Sequence, residues 1–110
     1  MDNLEWSDPL LEIEAERFSR AIGEIRGRKD NIDAQTLSEK AVEFNRWSQA
    51  LIGKTFGRTT PSEQQYFYTA FTNAAAILEE IAQRFGTETK QKIEPCLAGI
   101  KRRATTLEKS

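Results

Sequence analysis

The sequence predicts an all-α protein, an antiparallel (up-down) four-helix bundle, and three observations carry that prediction. Apolar residues recur at spacings of three and four in four separate stretches of the 110-residue chain. Capping residues stand in front of three of these stretches, with glycine behind. The β-branched residues are scattered rather than clustered in short runs, so no strand pattern competes.

The first helix is expected over 8–28. Ser7-Asp8-Pro9 places a capping side chain directly before a proline, whose fixed φ and missing N–H suit the first helical position. Leu11, Ala15, Phe18, Ile22 and Ile25 then form one stripe. Glu12, Glu14 and Glu16 near the start and Arg26, Arg28 and Lys29 near the end complement the helix dipole. Trp6 precedes the cap and is expected to staple the incoming chain.

A second helix is expected over 33–52, starting at Asp33 or at a capping box formed by Thr36 and Glu39. Its stripe is Leu37, Ala41, Phe44, Ser48 and Leu51, with Trp47 and Ile52 at the edge. Gly53 reads as the left-handed residue that ends it, and 53–60 as a loop.

The third helix, 61–85, has the clearest start: threonine cap, proline at the first position and glutamate at the third, in Thr60-Pro61-Ser62-Glu63. Phe67, Phe71, Ala74, Leu78, Ile81 and Phe85 form its stripe, widened by Tyr66, Ala70 and Ile77 on one flank and Tyr68, Ala75 and Ala82 on the other. This arc covers roughly half the circumference, against ~100° for an ordinary surface helix. No charge lies between Gln64 and Leu78.

Ile93, Leu97, Ile100, Ala104 and Leu107 mark a fourth helix over 88–107, kinked or broken near Pro95. Pro95 falls opposite the stripe, which favours a tolerated kink, and 105–110 should fray. Four helices joined by short loops favour antiparallel neighbours in a single domain spanning 1–110.

Composition excludes more function than it suggests. The chain has no histidine and one cysteine, so histidine-based nucleophile systems and Cys/His metal sites cannot be assembled. The expectation is a non-enzymatic protein without cofactor or metal. Cys96 reads as a small buried hydrophobe near the stripe's edge, and a single cysteine fits a reducing compartment. The start of the chain is acidic where a signal peptide is basic, and the longest apolar run is Ala74 to Leu78. A cytoplasmic protein without membrane contact is therefore expected.

Two apparent motifs carry nothing. Gly53-Lys54-Thr55 resembles the end of a phosphate-binding loop, but Ser48 stands where the leading glycine belongs and a helix precedes it. The two Gly-x-x-x-Gly spacings, from Gly23 and Gly53, lie outside any apolar segment long enough to use them.

The expected function is a non-catalytic protein–protein interaction module: a small adaptor, regulatory or assembly subunit. Five of ten aromatics fall between Phe56 and Phe71, and tyrosine favours interaction surfaces. Phe56, Tyr66 and Tyr68 are accordingly the candidate partner-binding residues. The broad arc of 61–85 further predicts a homo-oligomer, a symmetric dimer built on that helix. The alternative is a nucleic-acid-associated subunit. It would use Lys101, Arg102 and Arg103, joined by Arg84, Lys90 and Lys92, because 87–110 carries six basic and three acidic residues in a chain of net charge −1.

Overall fold

A computed structural model describes residues 6–55 and 59–109. They form four helices: α1 (Pro9–Gly27), α2 (Ala34–Thr55), α3 (Pro61–Ala82) and α4 (Thr87–Lys109). No strand occurs among the described residues.

The starts follow the capping chemistry. Asp8 accepts a hydrogen bond from the Leu10 N–H ahead of Pro9. Asp33, the first of the two alternatives for α2, accepts from the Thr36 N–H at 2.7 Å. That bond holds the Asp33 carboxyl below the usual carboxylate range. α3 carries the full capping box: Thr60 Oγ1 accepts from the Glu63 N–H, and the Glu63 carboxylate accepts from the Thr60 N–H.

The ends depart from expectation in three places. α2 does not stop before Gly53 but runs through it to Thr55, so that glycine is an ordinary helical residue. α3 ends at Ala82, and residues 83–85 form a tighter turn whose N–H groups bond three residues back. α4 keeps Pro95 within one helix on the exposed side, as the unbroken alternative expects, but continues past Thr105 to Lys109. Pro95 is tolerated there because its ring and its missing hydrogen bond face water rather than the core.

Within each hairpin the helices run antiparallel: Lys54 reaches Glu14 between α1 and α2, and Lys101 reaches Glu79 between α3 and α4. Between hairpins the direction is shared. Ser7 bonds Glu63 at one end of α1 and α3, and Lys29 pairs with Glu80 at the other. α2 consequently runs parallel to α4, its main partner, and packs less extensively on α3.

The core unites the predicted stripes of all four helices. Phe18 lies at its centre, with ring centroids 5.1 Å from Phe44, 5.1 Å from Trp47 and 5.4 Å from Phe71. Three helices thus meet at one ring, and each such pair contributes about 0.5–1.5 kcal/mol beyond area burial.

The broad arc of α3 has a different explanation from the one the sequence suggests. α1, α2 and α4 all pack on α3, and Phe67, Ala70, Phe71, Ala74, Ala75, Ile77, Leu78, Ile81 and Ala82 are all buried within the one chain. The arc is wide because α3 is contacted from three directions by its own neighbours. The premise that it must meet a second copy is overturned, and with it the reason for expecting a dimer.

Candidate functional site

α1 and α3 are fastened at both ends and open between. At one end Glu63, the only fully buried acidic side chain among the described residues, accepts from the Ser7 N–H at 2.5 Å and from Ser7 Oγ at 3.0 Å. Burial pushes the Glu63 carboxyl up, but its hydrogen bonds from Ser7 and Thr60 outweigh that and hold it below the ordinary range. Trp6, brought in by the same turn, packs edge-on against Tyr66 and Phe67. It therefore staples the incoming chain to α3. At the other end Lys29 pairs with Glu80 at 2.9 Å, and Arg84 donates to the Lys29 carbonyl.

Between these fastenings lies an open channel of about 1100 Å³. Ala15, Ile22 and Ala70 floor it; Glu12, Glu16 and Arg26 stand on the α1 wall, and Gln65, Thr69 and Asn73 on the α3 wall. A hydrogen bond of 2.6 Å joins Ser19 Oγ and the Tyr66 hydroxyl across it. Glu12, Glu16 and Arg26 form no ion pair among the described residues.

The candidate partner-binding residues do not come together. Tyr66 is half-buried and lines the channel beside Trp6. Tyr68, also half-buried against the core, stands about 160° further round α3, on the flank where Glu79 meets α4. Phe56 lies outside the described residues. A single aromatic patch of Tyr66 and Tyr68 is thus excluded by the geometry of one helix.

The basic cluster is likewise divided. Lys101 points toward α3 and pairs with Glu79 at 3.4 Å, and Arg102 is exposed. Arg103 turns inward to α2, donating from Nη1 to the Asn45 carbonyl at 3.1 Å, Asn45 Oδ1 at 2.5 Å and Ser48 Oγ at 3.1 Å. Burial, and then the neighbouring Arg102, lower the pKa of Arg103 from its usual value. Arg84 sits over the Phe85 ring, and Lys90 bonds Gln83, so neither joins the cluster.

Gly99 makes the α2/α4 approach feasible: a Cβ there would stand 2.5 Å from Asn45 Oδ1 and 3.2 Å from Arg103 Nη1. Cys96, one turn earlier, is half-buried with its thiol pushed up by burial against the opposing pull of Arg46. Nothing in the helical periodicity flagged Asn45, Arg46 or Gly99. Ser48 was visible only as a polar residue within an apolar stripe.

No group of three or more Cys, Asp or Glu side chains that could hold a metal occurs among the described residues. No described helix is long and apolar enough to cross a membrane. No protein-family model, curated protein or solved structure matches the chain.

Proposed function

We propose that this protein is a non-catalytic protein–protein interaction module, a cytoplasmic adaptor, regulatory or assembly subunit, which receives a helical segment of a partner protein in the α1/α3 channel. The observation that supports this reading is the channel itself: an open trough with small apolar residues on its floor and unpaired charges along one wall. Ala15, Ser19 and Ala70 are short enough for another helix to approach closely. From Glu12 to Arg26 the wall extends about 21 Å, four turns of helix. That length suits an amphipathic segment read at positions i, i+3, i+4 and i+7. Glu12 and Glu16 at one end and Arg26 at the other favour a segment with basic residues beside the first pair and an acidic residue beside Arg26. Among the aromatic candidates, Tyr66 takes the anchoring role, with Trp6 beside it.

Thr69→Arg combined with Asn73→Arg fills the channel from exposed positions without touching the core. Ala50→Arg, exposed on α2, is the control. Affinity capture from native extract with mass spectrometry is expected to yield proteins held by the wild type and the control but lost from the double variant. The same set retained by all three would overturn the assignment of the channel.

A further inference from the structure

We infer that the α2/α4 face holds a binding site for a tetrahedral oxyanion, a phosphate group, seated on Arg103 with Arg46 and Arg102 beside it. The argument starts from what Arg103 lacks. Its guanidinium is partly withdrawn from water, yet its acceptors are all neutral: the Asn45 carbonyl, Asn45 Oδ1 and Ser48 Oγ. Only Nη1 is engaged, and the three N–H donors on Nε and Nη2 have no acceptor among the described residues. A neutral side chain would tie α4 to α2 without the cost of desolvating a charge that has no counterion.

The surroundings deepen that deficit. No acidic residue stands three or four positions from Arg102 or Arg103, the reach of a helical ion pair. The carboxylate nearest Arg46 along its helix, Glu43, is paired with Lys40 at 3.7 Å. Cys96, Gly99 and Arg103 share one stripe of α4, and on α2 Arg46 directly follows Asn45, the residue that Arg103 meets. Asn45 gives Oδ1 to Arg103, which leaves its amide nitrogen a further donor without an acceptor among the described residues. Gly99 lets Asn45 and Arg103 meet in the seam, so this donor set is held by packing before any ligand arrives. The fork of a guanidinium matches two oxygens of a phosphate, and two flanking cations offset its remaining charge.

The test is an NMR titration of the full chain with inorganic phosphate at fixed ionic strength, chloride replacing it in the control. Saturable shifts are expected at the Gly99 amide, the Asn45 side-chain amide and Arg103 Nε–H, with none from chloride. Arg46→Gln combined with Arg102→Gln leaves the Asn45 and Ser48 contacts in place and should weaken phosphate binding about tenfold. A short thymidine oligonucleotide forms a second arm: binding displaced by phosphate from these residues identifies a phosphodiester as the source and supports the site. Absent shifts, shifts reproduced by chloride, unchanged affinity in the double variant, or oligonucleotide binding that phosphate does not displace would each overturn it.

Discussion

Glu63 does two jobs that lie 56 residues apart in the chain, capping α3 and holding Ser7. Glu63→Gln keeps the shape but loses the charge that makes these bonds strong, and should cost about 1–2 kcal/mol in urea unfolding. The sign of the pH dependence follows from the lowered folded-state pKa. The carboxylate's contribution is present above the unfolded-state carboxylate range and lost as pH falls through the depressed folded value. Unfolding followed from neutral to acid pH should therefore show a steeper acid loss in the wild type than in Glu63→Gln. Gly99 offers a second test at this scale. Alanine there gains about 1 kcal/mol of helix propensity but displaces Asn45 from Arg103, a charged hydrogen bond of about 1.5–3 kcal/mol. Gly99→Ala is expected to destabilise by about 1 kcal/mol in the wild type and to stabilise in an Asn45→Ala background, as read by paired denaturation curves. The capping half of Glu63's role is legible in Thr60-Pro61-Ser62-Glu63; the Ser7 half is not, because it depends on α1 and α3 lying side by side.

Helix starts and helix ends differ in how far local chemistry decides them. Asp8, Asp33 and Thr60 each bond an N–H two or three residues ahead, so the starts require nothing beyond neighbouring residues. Gly53 was expected to end α2, yet a glycine stops a helix only if the chain takes the left-handed conformation there, and packing carries α2 one turn further. Gly53→Ala decides between these: in an ordinary helical position with open space around the Cβ it should raise stability by about 0.5–1 kcal/mol, whereas a left-handed position would make it costly. Pro95 sits eight residues into α4, where it cannot donate to the Gln91 carbonyl. Pro95→Ala should restore that bond and raise the midpoint of thermal unfolding, by about 2 kcal/mol in stability.

On the scale of the whole molecule, α3 changes from a predicted interface to the element that the other three cover. Its apolar face is satisfied by α1, α2 and α4, while the open surface lies instead between α1 and α3, where polar walls hide an apolar floor. Light scattering on a dilute sample is accordingly expected to return a 12.5 kDa monomer. A 25 kDa species, about twice that mass, would mean that another face self-associates. The arc and the channel were hard to distinguish in one dimension. A wheel reports how much of a helix is apolar, but not how many neighbours surround it.

The amino-acid order by itself determined the four helices, their caps and the stripes that became the core, since each depends on residues within about four positions of one another. The tertiary structure alone decided which helices became neighbours across the two hairpins. It thereby brought Ser7 to Glu63, Tyr66 to Ser19 and Arg103 to Asn45, contacts spanning 47 to 58 residues. Such contacts carry no periodic signature, because polar side chains meet only once the apolar stripes have fixed the packing, and both candidate sites are made of them.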